Sequence, residues 1–447
     1  MGRLFGTDGV RGRANVSLTP ELALRLSEAA ATVLRGDADT KPTVAVADDG
    51  RISGGMLKGA VSAGLASAGA DVVDLGVIPT PATAFLVGEL EADFGVMISA
   101  SHNPMPDNGI KFFAAGGRKL PDAVEDAIES AMDAELGRPE GAGLGAVRTD
   151  LEARRKYVDH VVAACPHRLE GLTVVLDPAN GAASEVAPEV LRACGATVHV
   201  VNGSPDGLNI NENAGSTHID GLRQAVKDFG ADAGIALDGD ADRCLAVNAA
   251  GDIVDGDAIM AVLALAMRER GELVDDTLVV TVMSNLGLHQ AMQREGVRLE
   301  TTKVGDRYVL ERLNEAGLSL GGEQSGHVVI PSHATTGDGT LTAVMLLGRM
   351  AATGRSLEDL ASVFRSAPQV LVNVPVKDKG VMDAEAVKTR LGEWTDHLGD
   401  AGRILLRPSG TEPLIRVMVE AATTEKAEEV AADLVASLEE AVRVQGS

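Results

Sequence analysis

Residues 65–72 read LASAGADV, in which the end of a helix pattern is followed by a glycine and by the start of an apolar strand. The same order returns as LRACGATV at residues 191–198 and, more weakly, as MQREGVRL at residues 292–299. A glycine at this place lets the chain leave a helix through a left-handed conformation. Three copies, spaced roughly a domain apart, predict three similar α/β domains, although helix–glycine–strand is a common pattern in any α/β protein.

The sequence around the first copy alternates short β-branched runs with helical patterns. Residues 43–47 read TVAVA and predict a buried strand, while Leu57, Val61 and Leu65 recur on one face of the helix that should follow. A Thr-Pro pair at residues 19–20 predicts the start of an earlier helix, because Thr caps a helix well and Pro suits its first position. This alternation is typical of α/β domains.

The pattern changes near residue 369. Four valines at alternate positions from 370 to 376 predict a half-buried strand, and Pro375 indicates that this strand lies at a sheet edge. A helix at 383–393, strands at 403–407 and 414–420, and a helix at 425–442 complete the order β-α-β-β-α. That order predicts a small antiparallel sheet with helices on one face.

These patterns together predict an α/β fold of four domains. Three are similar α/β/α domains with mixed sheets, and the fourth is a smaller C-terminal α+β domain. The length of 447 residues fits this number, at roughly 150 residues per domain. The predicted boundaries are 1–150, 151–253, 254–368 and 369–447.

Composition narrows the choice of partners and compartment. A formal net charge of −25 repels nucleic-acid phosphates and anionic membrane surfaces, so we expect neither as a partner. No apolar run approaches the roughly 20 residues that span a bilayer, and residues 1–20 carry no signal-peptide pattern, so we expect a cytoplasmic protein. Cys165, Cys194 and Cys244 fit neither a disulfide framework nor a zinc site, and we interpret them as reduced core thiols. No pattern indicates an oligomeric state.

The sharpest chemical signal is DGDADR at residues 238–243, which follows an apolar strand pattern at residues 233–237. Carboxylates at alternate positions of a tight loop can converge on one hard cation. An EF-hand loop is excluded, because its sixth position would be Arg243 rather than Gly and its twelfth Ala249 rather than Glu. Three carboxylates leave room for a substrate oxygen and waters, which suits Mg²⁺ at a phosphate. A solvated acidic turn is the alternative.

A second signal is SASHNP at residues 99–104, after a strand pattern at residues 94–98. A serine at the carboxyl end of a strand lies where α/β folds bind ligands, and its hydroxyl can act as a nucleophile or carry a phosphate. A loop that uses Ser, Asn and Pro only for turn chemistry explains the segment equally well. Lys111, a little further along, is a candidate proton donor or phosphate contact, or simply a surface lysine.

Two glycine-rich segments offer further ligand contacts. FGTDGVRGR at residues 5–13 can present backbone amides and Arg11 to an anion, unless it is a flexible basic tail. GEQSGH at residues 322–327 places Glu323 and Ser325 where both can reach sugar hydroxyls, although a simple turn explains the glycines as well.

The last signal is RPSGTEP at residues 407–413, which joins the two strands predicted in the C-terminal domain. Its backbone amides, with Arg407 at one end and Arg416 beyond the other, predict an anion-binding nest for a phosphate. A plain hairpin turn is the alternative.

Taken together, these five segments resemble the active-site loops of the α-D-phosphohexomutase superfamily, in the same order and across residues 5–416. FGTDGVRG and GEQSGH are most similar to the branch of that superfamily that acts on glucosamine phosphates. The resemblance implies a fold of three similar α/β domains and a smaller fourth domain around a central cleft. It also implies an isomerase that interconverts glucosamine 6-phosphate and glucosamine 1-phosphate through a phosphoserine and a 1,6-bisphosphate, for UDP-N-acetylglucosamine and bacterial cell-wall synthesis.

The resemblance further implies a role for each motif residue. Ser101, rather than Ser99, would be the phosphorylated residue. One Mg²⁺ per chain would be bound by the Ser101 phosphate together with Asp238, Asp240 and Asp242. Arg11 and Lys111 would lie beside the transferring phosphoryl group, with Lys111 or His327 as the general acid or base. Substrate contacts would come from Arg243, Glu323, Ser325, Arg407, Ser409, Gly410, Thr411 and Arg416.

Three alternatives stay open at this point, all of them with a small phosphosugar as ligand. The same chemistry could serve glucose or mannose phosphates. A metal-dependent phosphatase could pass the Ser101 phosphate to water. A noncatalytic protein could bind a sugar phosphate as a sensor.

Overall fold

The structure is a computed structural model that describes residues 3–6, 8–35, 40–134, 137–409 and 413–445. Its strands form four sheets, each in a separate part of the chain. None of the helices in these ranges is long and apolar enough to cross a membrane.

The first sheet is mixed. Its part of the chain contains β1 (Val10–Arg13), α1 (Pro20–Arg35), β2 (Thr43–Asp48), α2 (Gly54–Ser67), β3 (Asp71–Val77), α3 (Thr80–Glu89), β4 (Phe94–Ile98), β5 (Asp107–Ala114), β6 (Arg118–Lys119), α4 (Asp122–Met132) and β7 (Val147–Thr149). The order is β1-β5-β4-β2-β3-β7, with β6 on β5. Strands β4, β2, β3 and β7 are parallel, whereas β5 and β1 are antiparallel to their neighbours. The loops after β2 and β4 therefore leave the same edge of the sheet.

The second sheet repeats this mixed arrangement. The elements are α5 (Ala153–Ala163), β8 (Thr173–Asp177), α6 (Val186–Ala193), β9 (Thr197–Val200), α7 (Asp220–Phe229), β10 (Ala233–Leu237), β11 (Cys244–Asn248) and β12 (Ile253–Val254), in the order β12-β11-β10-β8-β9. Strands β10, β8 and β9 are parallel, and β11 and β12 are antiparallel. Cys194 and Cys244 are buried as predicted, but Cys165 is only half-buried because it lies in the turn after α5.

The third sheet is smaller and follows the same plan. Its elements are α8 (Gly256–Glu269), β13 (Thr277–Thr281), α9 (Leu286–Glu295), β14 (Arg298–Thr302), α10 (Asp306–Ala316), β15 (Gly321–Gly322), β16 (Val328–Val329), α11 (Gly339–Thr353) and α12 (Leu357–Ala361). The order is β14-β13-β15-β16, with only β16 antiparallel.

The C-terminal sheet is wholly antiparallel. Its elements are β17 (Gln369–Pro375), α13 (Glu385–Leu398), β18 (Arg403–Pro408), β19 (Leu414–Glu420) and α14 (Thr424–Gln445), and the strand order is β17-β19-β18. Strand β17, which ends in Pro375, is an edge strand as predicted, since Pro has no backbone N–H to donate to a ladder. The four sheets confirm the predicted fold of three mixed α/β domains and a smaller α+β domain.

The repeated helix–glycine–strand pattern is confirmed in all three copies. Gly69 links α2 to β3, Gly195 links α6 to β9, and Gly296 links α9 to β14. Their φ angles are +91°, +108° and +72°, a region that side chains with a Cβ rarely adopt. The start of α1 is also confirmed, because Thr19 Oγ1 accepts a hydrogen bond from the backbone N–H of Leu22 at 3.2 Å.

The chain divides into two compact units. The first comprises Met1–Met283 and Gly296–Val363, and the second Ser284–Glu295 and Phe364–Ser447. Helix α9 thus belongs with the C-terminal domain, because buried Glu420 on β19 accepts hydrogen bonds from Asn285 Nδ2 at 3.1 Å and from the Leu286 N–H at 3.0 Å. Arg403 balances the Glu420 charge from 2.9 Å. The domain boundaries given above stay predictions.

Candidate active site

Ser101 lies in the loop that follows β4, at the edge where the parallel strands of the first sheet end. Its φ of +53° is in the left-handed region, and its side chain is buried. The hydroxyl donates a hydrogen bond to Asp238 Oδ2 at 2.6 Å, and the backbone N–H donates to Ser99 Oγ at 2.8 Å. The structure therefore brings Ser101 into direct contact with the aspartate loop of the second domain, and Ser99 supports its backbone.

Arg51, which the sequence analysis did not single out, holds the Ser101 loop in place. It follows β2, the parallel neighbour of β4, and its side chain is fully buried beside Asp49 at 2.9 Å. Its guanidinium donates hydrogen bonds to four carbonyl oxygens of the loop, those of Ser101 (2.9 Å), Asn103 (2.9 Å), Pro104 (2.7 Å) and Asp107 (3.2 Å). The available signal was a run of polar residues, DDGR, directly after a buried strand.

Two further side chains support the same loop. Asp49 accepts a hydrogen bond from Ser99 Oγ at 2.7 Å, which links Arg51 to the backbone of Ser101. Asn211, from the second domain, donates to the carbonyl oxygens of Ser101 and Asn103 at 2.9 and 3.1 Å. No motif in the sequence marks Asn211.

Three buried aspartates follow β10 and form one cluster. Asp238, Asp240 and Asp242 each offer an oxygen atom, and these atoms all lie within 4.8 Å of one another. Burial, with the charges of Asp242 and Asp240, raises the pKa of Asp238 well above its usual value. Asp240 Oδ1 and Asp242 Oδ1 are buried and have no hydrogen-bond partner in the described part of the chain. A divalent cation would satisfy both oxygens and offset the repulsion, so this donor set fits a metal site.

Lys111 on β5 supplies positive charge beside this cluster. Its Nζ is 2.8 Å from Asp240 Oδ2 and 2.9 Å from Asp8 Oδ2. Burial opposes the charged form of Lys111, but Asp240 and Asp8 outweigh it and raise its pKa, so the side chain is an ammonium ion. Burial alone would raise the pKa of Asp8. The positive charges of Lys111, Lys119 and Arg11 outweigh burial and keep the pKa of Asp8 well below its usual value. Asp8 lies in the FGTDGVRGR motif, but its part in this charge cluster was not predicted.

Arg11 lies on an edge strand. It is part of β1, opposite Gly109 on β5, so this stretch of the N-terminal segment is not a flexible tail. Gly109 is required there, since a Cβ would be 2.3 Å from the Ser99 carbonyl oxygen and 3.2 Å from Arg11 Cγ. The Arg11 guanidinium pairs with Asp8, whose other oxygen atom lies 3.8 Å from Lys119. Thr80 completes the surroundings, donating from Oγ1 to Asp240 Oδ2 at 2.7 Å.

The GEQSGH segment forms the turn between β15 and β16. Glu323 Oε1 accepts a hydrogen bond from the Gly305 N–H at 3.0 Å, which fixes one of its two oxygens. Ser325 Oγ is buried and has no hydrogen-bond partner within the described ranges. The Ser325 Oγ is thus a polar atom that a sugar hydroxyl would satisfy.

His327 and Arg243 both flank Asp242. The Nε2 of His327 accepts a hydrogen bond from the Gly337 N–H at 3.1 Å, and its Nδ1 is 3.7 Å from Asp242 Oδ2. Because Nε2 is an acceptor, the ring carries its proton on Nδ1, toward Asp242. The Nε of Arg243 is 3.8 Å from Asp242 Oδ1, and its backbone N–H donates to Asp238 at 3.2 Å. The first unit thus gathers Ser101, the three aspartates, Arg11, Lys111, Arg243 and His327 at one place.

The predicted phosphate loop lies in the second unit, between β18 and β19. Arg407 and Arg416 are opposite each other in this ladder, and burial together with the charge of Arg416 lowers the pKa of Arg407. Ser409 is buried, and its carbonyl oxygen accepts a hydrogen bond from Lys379 Nζ, a residue that the sequence analysis missed. Gly410 and Thr411 lie outside the described residues. Neighbouring cations of this kind attract an anion such as phosphate.

Domain models of one protein family match nearly the whole chain. Its three alpha/beta/alpha domains, described as phosphoglucomutase/phosphomannomutase domains I, II and III, match residues 2–138, 155–251 and 255–366. The C-terminal domain of the same family matches residues 371–437.

Individual relatives are similar over their full length. A phosphoglucosamine mutase of Saccharopolyspora erythraea is 62% identical, with 98% of this chain and 100% of the relative covered. One of Salinispora arenicola is 61% identical, over 96% and 97% of the two chains. Among solved structures, a phosphoglucomutase/phosphomannomutase family protein of Burkholderia thailandensis matches with a TM-score of 0.84 at 24% identity, covering 98% and 97%. The N-acetylphosphoglucosamine mutase of Aspergillus fumigatus, solved with GlcNAc-6P and magnesium, matches at 0.73 and 16% identity, covering 98% and 96%.

Proposed function

Since the chain belongs to the phosphoglucomutase/phosphomannomutase family, we propose that it acts as a phosphoglucosamine mutase, an isomerase that interconverts glucosamine 6-phosphate and glucosamine 1-phosphate. The observation that carries this proposal is the 2.6 Å contact between Ser101 Oγ and Asp238 Oδ2, beside two further buried aspartates. A phosphate on this hydroxyl would meet the cation site directly. The relatives named phosphoglucosamine mutase, at 62% and 61% identity, support the choice of sugar.

We infer that the metal is one Mg²⁺ per chain, held by Asp238, Asp240 and Asp242. The two carboxylate oxygens without a partner are the atoms that need it most. When bound, the cation neutralises negative charge on phosphoryl oxygens, which stabilises a loose phosphoryl-transfer transition state. Arg11 would add a second positive charge on the same group.

The proposed cycle begins with a phosphorylated Ser101. A sugar hydroxyl attacks the phosphorus, the bond from phosphorus to Ser101 Oγ breaks, and a 1,6-bisphosphate forms. The proton of that hydroxyl reaches Ser101 Oγ by way of Lys111, so protons and charge balance. The bisphosphate then turns over, and its other phosphate returns to Ser101 by the reverse step. The product would serve UDP-N-acetylglucosamine and cell-wall synthesis in the cytoplasm.

We assign the proton-transfer role to Lys111 rather than to His327. Both ring nitrogens of His327 already face protein groups, Gly337 and Asp242, so the ring is better suited to orienting Asp242. The ammonium group of Lys111 has three N–H donors, and Asp240 and Asp8 account for two of them. Glu323, Ser325 and Arg243 would contact the sugar, while the loop around Arg407, Ser409, Gly410, Thr411 and Arg416 would hold the phosphate that is not reacting.

The role of Ser101 can be tested by mutation. Ser101→Ala should lower kcat by about three orders of magnitude or more, because no other residue would carry the phosphoryl group. The free energy of unfolding should fall by about 1–3 kcal/mol, since Asp238 Oδ2 loses a buried hydrogen-bond donor, and the fold should stay intact. Ser332→Ala, at an exposed serine, is the matched control. Intact-mass analysis should find phosphate on the wild type and not on Ser101→Ala. Wild-type turnover by Ser101→Ala would remove this residue from the mechanism.

Substrate competition tests the rest of the proposal. Glucosamine 1-phosphate, glucose 1-phosphate and mannose 1-phosphate should be compared by kcat/KM, and the glucosamine compound should be the best substrate. If it is the poorest, the chain serves another sugar of the same family. Release of inorganic phosphate at the turnover rate would instead indicate a phosphatase, and absence of phosphate from freshly purified Ser101 would indicate a sensor.

A further inference from the structure

Residues 337–339 link two of the segments that build the candidate active site. Three consecutive backbone N–H groups each donate a hydrogen bond to one of these segments: Gly337 to His327 Nε2 (3.1 Å), Asp338 to the carbonyl oxygen of Val328 (3.3 Å) and Gly339 to that of Ala241 (2.9 Å). Ala241 lies in the aspartate loop, between its second and third aspartates. The 337–339 segment therefore connects His327 with the loop that would bind the cation.

Both glycines of the 337–339 segment are needed because the two active-site segments pass so close to it. A Cβ at Gly337 would lie 2.5 Å from ring atoms of His327, and a Cβ at Gly339 would lie 2.3 Å from the carbonyl oxygen of Arg243. Neither distance is possible for a real side chain. Because packing is this tight, a movement of the 337–339 segment would be transmitted to His327 or to the aspartate loop.

Asp338, between the two glycines, carries the only side chain of the 337–339 segment. It is buried and caps α11, because its Oδ1 accepts a hydrogen bond from the Leu341 N–H at 2.9 Å. Each of its carboxylate oxygens lies 3.0 Å from the hydroxyl of Tyr157, which can donate to either one. The segment is thus held by α11 on one side and by Tyr157 on the other.

Tyr157 belongs to α5, a helix of the second domain that carries none of the residues placed at the candidate active site. Its side chain is fully buried, and it is one of only two tyrosines in the chain. Phenylalanine would fill nearly the same space, so packing alone does not explain the hydroxyl group. A buried hydroxyl needs a hydrogen-bond partner, and Asp338 provides it.

We propose that Tyr157 is a positioning residue for the reaction, acting on the site through Asp338 and the 337–339 segment. This role rests on the proposed function, because it concerns the same site. The Tyr157 hydroxyl holds Asp338, and the segment then holds the His327 ring with its Nδ1 3.7 Å from Asp242 Oδ2. Groups that orient a metal ligand in this way typically change metal affinity or activity by roughly 10- to 100-fold when they are removed.

Tyr157→Phe removes the hydroxyl and keeps the ring, so it tests this role with little change in packing. Its kcat should fall about tenfold with KM unchanged, because the reacting groups are displaced while substrate contacts remain. The Mg²⁺ concentration that raises the Tm of the metal-free protein by a given amount should increase about tenfold. The nitrogen NMR signals of the His327 ring, assigned with His327→Gln, should also shift, because the Gly337 hydrogen bond fixes the tautomer.

Two substitutions of Asp338 separate its position from its charge. Asp338→Asn should keep most of the wild-type kcat, because asparagine also caps a helix and accepts a hydrogen bond from Tyr157. Asp338→Ser keeps a capping side chain, but its shorter side chain moves the oxygen away from the Tyr157 hydroxyl. It should show the same losses as Tyr157→Phe, and it decides the question if Tyr157→Phe does not fold.

Val61→Ala is the control for stability alone, since Val61 is buried in the core of the first domain and not at the site. Like the loss of a buried hydrogen bond in Tyr157→Phe, it should lower Tm by a few degrees. Its kcat, its response to Mg²⁺ and its His327 signals should match the wild type. If Tyr157→Phe behaved in the same way, Tyr157 would be a structural residue and the positioning role would be overturned.

Failure of the positioning role can be told apart from failure of the proposed function. A wild-type protein without mutase activity would remove the proposed function. The Mg²⁺ and NMR measurements need no substrate, so they would still decide whether Tyr157 positions His327 and the aspartate loop. An active wild type with an equally active Tyr157→Phe would overturn only the role of Tyr157.

Discussion

The Ser101 site and the Arg407–Arg416 hairpin differ in how their charged side chains are arranged. At the Ser101 site, buried acids and bases interlock: Lys111 lies between Asp240 and Asp8, and Arg51 is fully enclosed beside Asp49. On the hairpin, two arginines of like charge are opposite each other on neighbouring strands. The first region is largely organised before a ligand arrives, whereas the second places two guanidinium groups close together, where an anion such as phosphate can bind.

The difference suggests how each region would respond to mutation. Breaking an interlocked buried network should affect catalysis and stability together, because its members position one another. Removing one of two like charges should affect mainly ligand binding, and the hairpin itself should tolerate the change.

The largest effect is expected for the aspartate cluster. Asp238→Asn keeps the side-chain shape but removes a cation ligand, so Mg²⁺-dependent kcat should fall by about 100-fold or more. The pKa of Asp238 is raised on folding, so its ionised form costs stability near neutral pH, and that cost disappears as the pH falls through the folded-state value. Metal-free Asp238→Asn should therefore have an equal or higher Tm than the metal-free wild type, and Mg²⁺ should no longer raise it.

Asp220→Asn is the matched control, because it makes the same change of charge at an exposed residue. Thermal melts with EDTA and with Mg²⁺ give the answer. If Mg²⁺ raised the Tm of Asp238→Asn as much as that of the wild type, the cation would bind elsewhere.

The second effect concerns the Arg51 contacts. Arg51→Lys keeps the charge but cannot reach four carbonyl oxygens, so the Ser101 loop should lose its fixed geometry and kcat should fall about tenfold. Arg51→Ala also leaves the Asp49 carboxylate buried without its partner, and the free energy of unfolding should fall by about 3–5 kcal/mol.

Steady-state kinetics and denaturant unfolding separate these two effects. Arg155→Lys, at an exposed arginine that lies 3.6 Å from Asp159, is the control and should change neither quantity. An unchanged kcat for Arg51→Lys would mean that the loop does not need these hydrogen bonds.

The smallest effect is expected on the hairpin. Arg407→Ala removes one phosphate contact, which should raise KM about tenfold, equivalent to roughly 1.5 kcal/mol, with little change in kcat. The free energy of unfolding should stay the same or rise slightly, since a like-charge neighbour is removed. Arg390→Ala, an exposed helix arginine, is the control. A large loss of kcat with unchanged KM would place Arg407 in the chemistry instead.

The sequence predicted regular elements well, because their signals are local. The strands at residues 94–98, 233–237 and 414–420 have the bounds that the structure shows. The grouping of α9 with the C-terminal domain could not be predicted, since it depends on Glu420, which contacts the backbone of Leu286 across 134 positions. The sequence around residues 285–295 contains no pattern that indicates contact with a carboxylate so far along the chain.

The candidate site was predictable where motifs carry it and not where single residues support it. The aspartate cluster follows from its alternate spacing, and Ser101 from its place after a strand. Arg51 and Asn211 matter because of carbonyl oxygens that they reach in another segment, and no spacing encodes such contacts. The orientation of His327 also depends on a distant backbone N–H, that of Gly337.

The left-handed backbone at Ser101 limits which alcohol can occupy this position. Threonine carries the same functional group, but its branched Cβ is crowded at a φ of +53°, a conformation that β-branched residues rarely adopt. Tyrosine would bring a ring into a space that is already buried. Among the three hydroxyl side chains, serine fits this left-handed turn with the least strain, so the main chain favours serine at this position before any chemistry takes place.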